Sequence, residues 1–163
     1  MKAEADLRRL QDRVDIIEMI HAYCRYADNL DAERMSSLFT DDCVVSYVPL
    51  TVAQPVRGRS SLNGFFQRYF PESVSSSHYV SNIELLFDSA DTVIAHTYMY
   101  SWERRKGYPV HADCHRYGRY EMRIVRATGQ WKFSHMRLLS MGEYGGTRIG
   151  EQFGRPWPPQ FGD

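Results

Sequence analysis

Asp28 and His78 are residue types suited to general acid–base chemistry, and each stands at a defined point in the pattern of the chain. A carboxylate that holds one ring nitrogen of a histidine orients the ring and raises the basicity of the other nitrogen. Such a pair can take a proton from a substrate. Tyr23 and Tyr47 offer phenolic hydroxyls that can hydrogen-bond an oxyanion as it develops. Each residue also has an ordinary alternative. Asp28 follows a helical run and, like Asp31, can serve only to cap or end a helix. His78 is one of six histidines and opens a strand, where a structural role is common. Tyr47, in a short strand, can be plain packing. Geometry has to decide whether Asp28 reaches His78.

The elements that must position these residues are legible from periodicity. Leu7, Leu10, Val14, Ile17, Ile20 and Tyr23 or Cys24 recur at three- and four-residue steps, which predicts an amphipathic helix over 7–26. Asn29-Leu30-Asp31 interrupts it, and Asp31 can cap a second short helix over 32–39 that Thr40-Asp41-Asp42 ends. A short strand is expected over 43–47, then a loop marked by Pro49, Pro55 and Gly58. A third helix over 60–69 carries Leu62, Phe65, Phe66 and Tyr69, and Pro71 with the serine run 73–77 predicts a loop. Strands follow over 78–88, 91–104, 114–127 and 130–141, joined by turns at Asp88-Ser89-Ala90-Asp91 and Ala127-Thr128-Gly129-Gln130. Helices first and a meander afterwards imply one α+β domain over 1–141, its helices packed on one face of a curved antiparallel sheet. The stretch 142–163, rich in Gly, Pro and aromatics (Phe153, Trp157, Phe161), shows no period and is expected to cover a pocket mouth or a neighbouring subunit.

Composition narrows the function classes. Lys plus Arg and Asp plus Glu both number 20, so no single-sign field draws nucleic acid or anionic lipid. No run reaches the roughly 18 to 20 apolar residues of a membrane span, and the charged start reads as cytoplasmic. Cys24, Cys43 and Cys114 are odd in number and lack CxxC spacing, which points to buried free thiols. His111, Asp113 and His115 alternate as metal ligands can, but without a further convergent ligand they read as surface polarity. Arg104-Arg105-Lys106 reads as a solvated hairpin tip. Neither a cofactor nor a metal is expected.

The helical opening with Tyr23 and Asp28, the His78-x-x-x-Asn82 strand start, Ser89-Ala90-Asp91, Gly118-x-Tyr120 and Gly129-x-Trp131 together resemble the SnoaL-like family over roughly residues 10–140. That family belongs to the nuclear-transport-factor-2-like superfamily and includes scytalone dehydratase, hexachlorocyclohexane dehydrochlorinase and polyketide cyclases. The resemblance implies a cone-shaped α+β barrel whose N-terminal helices close a pocket. It also implies that Asp28 and His78 form a dyad in which the histidine abstracts a proton from carbon, with Tyr47 in the place of a tyrosine that holds a polarising water. The departures matter as well. Tyr23 and Met136 stand where the dehydrochlorinase resembles having a lysine and an arginine, so dehydrohalogenation is disfavoured. Ala27 replaces a second dehydratase tyrosine, and scytalone itself is not a supported substrate. An Asp–Arg–Asp arrangement for epoxide hydrolysis is not visible.

In the strand 93–103 one face carries Ile94, His96, Tyr98, Tyr100 and Trp102, and the other Val93, Ala95, Thr97, Met99 and Ser101. The resemblance places the small face inward, with Arg116, Gly118, Tyr120 and Met122 beside it, although a one-residue shift would reverse the faces. Phe65, Phe66, Met99, Ser101, Gly118, Tyr120 and Met136 are then the candidate substrate contacts, and an outward aromatic patch would fit a homodimer or homotrimer. The expected activity is a cofactor-independent lyase or isomerase acting on a small cyclic, apolar, aromatic or terpenoid molecule. The competing expectation is a non-catalytic binding cone, or a structural subunit resembling the β chain of ring-hydroxylating dioxygenases.

Overall fold

Ile16, Ile20, Tyr23 and Ala27 repeat at helical spacing, and in the computed structural model, which describes residues 2–48, 54–109 and 112–145, they form the buried stripe of the first helix. That helix, α1 (Lys2–Asp28), is followed by α2 (Ala32–Ser37), β1 (Phe39–Val48), β2 (Val56–Arg57) and α3 (Arg59–Tyr69). A single 3-10 turn (Phe70–Glu72) leads into β3 (Ser73–Phe87), β4 (Thr92–Arg105), β5 (Cys114–Ala127) and β6 (Gln130–Tyr144).

The six strands form one sheet in the order β2-β1-β6-β5-β4-β3. The last four make the expected antiparallel meander, whereas β1 joins β6 in parallel, a pairing that no local pattern announces. Register shifts at Ser81/Glu84 in β3 and at Tyr117/Gly118 and Arg123/Ile124 in β5 bend the strands and curl the sheet into a cone. Asn82 takes φ 51° at the first of these, a left-handed conformation that asparagine tolerates. At the β5–β6 turn Thr128 and Gly129 both have positive φ, as a tight hairpin of matching twist requires. The helices close the concave side, with α1 packed chiefly along β3.

Four expectations need correction. The stripe Leu7, Leu10, Val14 does not face the core: each is at least 55% exposed. Steps of mostly three residues rotate about 60° backwards each time around a helix of 100° per residue, so that run winds from the solvent face to the buried one. Thr40-Asp41-Asp42 does not end a helix but lies inside β1, and the serine run 73–77 is strand, because β4 continues far enough to pair with it through Arg104 and Arg105. β6 also runs three residues past 141, to Tyr144. Residues 146–163, with Phe153, Trp157 and Phe161, lie outside the described residues, as do His111 and Pro49.

A buried ionic clamp ties α1 to the far end of the sheet. Arg126 donates from Nη2 to Asp12 Oδ1 at 2.6 Å and from Nε to Asp91 Oδ1 at 2.9 Å. The indole of Trp131 donates to the same Asp12 oxygen at 3.3 Å and lies beneath the guanidinium, 4.2 Å from ring centre to carbon. Removing the carboxylate would leave the Trp131 indole N–H without its acceptor and Arg126 with Asp91 alone. Asp12→Ala is expected to lower stability by about 1–3 kcal/mol, read as a shift in the urea midpoint. A midpoint unchanged from wild type would show the clamp to be ornamental.

Candidate active site

Asp28 is the last residue of α1, and its carboxylate turns away from the helix toward β3. Its Oδ1 lies 2.7 Å from His78 Nδ1, and Oδ2 accepts the backbone N–H of His78 at 3.0 Å. Ser76 Oγ donates to Oδ1 at 3.3 Å. Three contacts from one short stretch of β3 fix the carboxylate, so Asp28 is not a helix cap. Asp31 is one, accepting from the N–H of Arg34 at 3.0 Å. With Asp28 accepting from Nδ1–H, the ring keeps Nε2 unprotonated when neutral, and His78 lines the cavity inside the cone.

That cavity lies between the helices and the concave face of the sheet and opens to solvent at its mouth. Tyr23 on α1 and Tyr47 on β1 meet within it, their hydroxyl oxygens 2.7 Å apart. Burial pushes the Tyr23 phenol well above its ordinary value, and neighbouring Tyr47 and Tyr120 push it further. Burial likewise raises Tyr47, although the hydrogen bond shared with Tyr23 opposes this. Both phenols therefore stay protonated at neutral pH, and whichever accepts the shared bond keeps its own proton for a ligand oxygen. Tyr120 joins them, its ring 5.8 Å from that of Tyr23. One wall is aromatic: Tyr47 stacks on Phe65 at 5.8 Å, Phe65 on Tyr69 at 6.1 Å, and Phe66 on Phe70 at 5.4 Å.

The inward parity expected for β4 and β5 holds. Met99, Ser101 and Tyr120 line the cavity together with Phe65 and Phe66. Two expected contacts do not. Gly118 is packed beneath Met99 and Leu138 and has no side chain to present. Met136 is buried in the core, in register with Met122 and Val45, while Leu138, the register partner of Tyr47, lines the cavity in its stead. The shift in β6 pairing after Phe133 sets that order, leaving Met136 one inward step nearer the end that Phe39 and Phe133 fill.

Sequence reasoning missed Glu103, Tyr69 and Ser73, which line the same cavity. Tyr69 donates to Glu103 Oε2 at 2.6 Å, and the Ser73 hydroxyl donates to Oε1. The alternation that places Ser101 inward continues to Glu103 and Arg105, and would have found them. Arg105 is accordingly no solvated tip: it lies over the Tyr69 ring at 5.0 Å. Arg104 is fastened to Asp113 through Nε at 2.9 Å and Nη2 at 2.6 Å. Asp113 is thus engaged by Arg104 and by Trp102, and His115 by Tyr100. Among the described residues no three metal-ligating side chains converge, and no helix is long and apolar enough to cross a membrane.

The three cysteines are buried thiols, and burial, followed by the charge of Asp28, pushes Cys24 up to about 12. Cys114 is also pushed up to about 12 by burial, against the opposing charge of Arg116. The buried phenols and thiols keep their protons in the fold while the unfolded chain loses them from 9.0 (thiols) and 10.0 (phenols) upward. The unfolded state then binds fewer protons than the native one, so unfolding free energy falls as pH rises, by about 1.4 kcal/mol per pH unit per group. The melting temperature is expected to stay level between about pH 7 and 8.5 and to fall steeply above about pH 10. A flat profile to pH 11 would mean that these groups titrate normally.

A family model for the SnoaL-like domain matches residues 8–137. Among solved structures, the chain is similar to a protein of Novosphingobium aromaticivorans provisionally named scytalone dehydratase, at 25% identity and TM-score 0.79 over 86% of this chain and 91% of that one. It is also similar to a provisionally named aromatic ring hydroxylase of the same organism, at 22% identity and TM-score 0.76, covering 83% of this chain and 94% of that one. A hexachlorocyclohexane dehydrochlorinase (LinA-type3) of Novosphingobium barchaimii shares 20% identity at TM-score 0.75, covering 94% of this chain and 99% of that one. No curated protein matches the sequence.

Proposed function

The chain belongs to the SnoaL-like domain family, and we propose that it is a cofactor-independent lyase or isomerase in which His78, oriented by Asp28, acts as general base. The observation that carries this reading is the 2.7 Å contact between Asp28 Oδ1 and His78 Nδ1 at the wall of an aromatic cavity. The free Nε2 takes a proton from the carbon beside a carbonyl, and the electron pair moves onto the carbonyl oxygen. The Tyr23–Tyr47 pair hydrogen-bonds that oxygen as its charge grows. Loss of a β-hydroxyl as water completes a dehydration, with the proton on His78 available to the leaving oxygen. Return of the proton at another carbon completes an isomerisation. The naming of one neighbour as a scytalone dehydratase supports this class.

The cavity's aromatic wall and scattered hydroxyls suit a small cyclic substrate with a carbonyl. Of the outward face of β4 Tyr98 is exposed while Tyr100 and Trp102 are half-buried, and with the exposed Tyr79, Tyr117 and Tyr144 it makes an aromatic surface that supports the homodimer or homotrimer reading.

The test is a panel of cyclic β-hydroxyketones of one and two rings, incubated with the protein in D₂O and read by mass spectrometry for water loss and for deuterium beside the carbonyl. Reaction in wild type that disappears in His78→Gln supports the proposal. Reaction undiminished in that variant overturns His78 as the base, and no reaction of wild type with any member of the panel leaves a binding cone.

A further inference from the structure

One cross-strand row joins the candidate base to a buried cation. His78 in β3 is the register partner of Ser101 in β4, Ser101 of Arg116 in β5, and Arg116 of Glu143 in β6. His78, Ser101 and Arg116 all line the cavity. Strands spaced about 4.8 Å apart set the backbones of His78 and Arg116 roughly 10 Å from each other, a span that one small molecule can bridge. Glu103, next inward on β4, lines the cavity beside them.

The hydrogen bonding of these groups is incomplete. Arg116 is 5% exposed, yet its Nε and Nη2 share a single oxygen of Glu143, at 3.4 and 3.3 Å. A guanidinium has five N–H donors, and those that Glu143 does not take can donate to a ligand oxygen in the cavity that Arg116 lines. Glu103 holds Tyr69 and Ser73, and a carboxylate with about four acceptor positions has room for one donor more. The charges cancel: Glu103 and Glu143 face Arg105 and Arg116. A carboxylate ligand would leave the group net negative, whereas a hydroxyl accepts from Arg116, donates to Glu103 and adds no charge.

We propose that Arg116 and Glu103 form a second polar subsite that binds a neutral hydroxyl or phenol of the ligand and thereby decides which end of an apolar ring system faces His78. The substrate class is then a ring compound with two separated oxygens, one at the tyrosine pair and one at this subsite. The orientation rests on the reading of His78 as the base; the binding does not.

Three probes test it by titration against the full-length protein: naphthol, a dihydroxynaphthalene with hydroxyls at opposite ends, and a hydroxynaphthoate of the same outline. In wild type the second hydroxyl should tighten binding about tenfold, the effect of one hydrogen bond to a charged group, and the carboxylate should give no such gain. Arg116→Lys, which keeps the charge but not the fork, and Glu103→Gln should each erase most of the gain, read as the ratio of dihydroxynaphthalene to naphthol affinity within the same protein. No gain in wild type, a gain that persists in both variants, or tighter binding of the hydroxynaphthoate overturns the proposal. The wild-type comparison decides even where a variant does not fold. In His78→Gln the gain should remain. Turnover in that variant would sink the base and leave the subsite standing, so the two failures are distinguishable.

Discussion

His78→Ala should lower kcat on any ketone the wild type turns over by about 10² to 10⁴, the usual worth of a placed general base. Asp28→Asn should approach that loss with the imidazole still present. An asparagine amide can offer N–H where the carboxylate offered only lone pairs, so the proton on Nδ1 loses its charged acceptor. The ring is then free to carry its proton on Nε2, the nitrogen that must be bare to act. The backbone N–H of His78 and the Ser76 hydroxyl, both now held by Asp28, would also lose a charged partner. On the proposed mechanism the two residues act as one unit, so the double variant should be little worse than His78→Ala. Kinetics on the four proteins, with nitrogen NMR of the His78 tautomer, check this. Losses that multiply in the double variant would mean that Asp28 and His78 act separately.

Gly118→Ala should be far more damaging than Gly142→Ala, the other single-methyl change within the long strands. A Cβ there would lie 2.5 Å from the carbonyl oxygen of Leu139 and 3.3 Å from both Leu138 Cδ1 and Met99 Sδ. The first neighbour is backbone in the adjoining strand, which cannot swing aside as a side chain can. The position sits at the Tyr117/Gly118 register shift, where the strands already depart from regular pairing. Overpacking of this kind costs about 2–3 kcal/mol, which corresponds to a fall in melting temperature of roughly 5–10 °C. Gly142→Ala in β6 is the control, since nothing lies within 4 Å of its added methyl. Equal melting temperatures for the two variants would show that the strands part easily at Gly118.

Gly118 was expected at the ligand surface and turns out to shape that surface from behind. The distinction follows from what each level of description contains. Alternation along β4 and β5 is a local property of extended chain, so Val93, Ala95, Thr97, Met99 and Ser101 could be read as one face before any contact was known, and the family resemblance put that face inward. Asp31 as a cap, the turn at Thr128-Gly129 and the segment 114–127 are equally local, and each stands as read. The same rule, followed two residues further, reaches Glu103.

The sequence by itself determined an α+β chain with helices ahead of a meander, the two alternating faces of its long strands, a neutral charge balance, and the residue types able to do acid–base chemistry. Only the tertiary structure decided that β1 lies parallel to β6, that α1 buries the face of Ile16 and Tyr23 and not that of Leu7, and that Asp28 meets His78. It also decided which inward residues have open space before them: Leu138 does and Met136 does not. Periodicity reports the direction a side chain takes from its own backbone. Bulges, a parallel crossover and the angle at which a helix crosses a sheet depend on packing between distant segments, and those set the distance from one side chain to another.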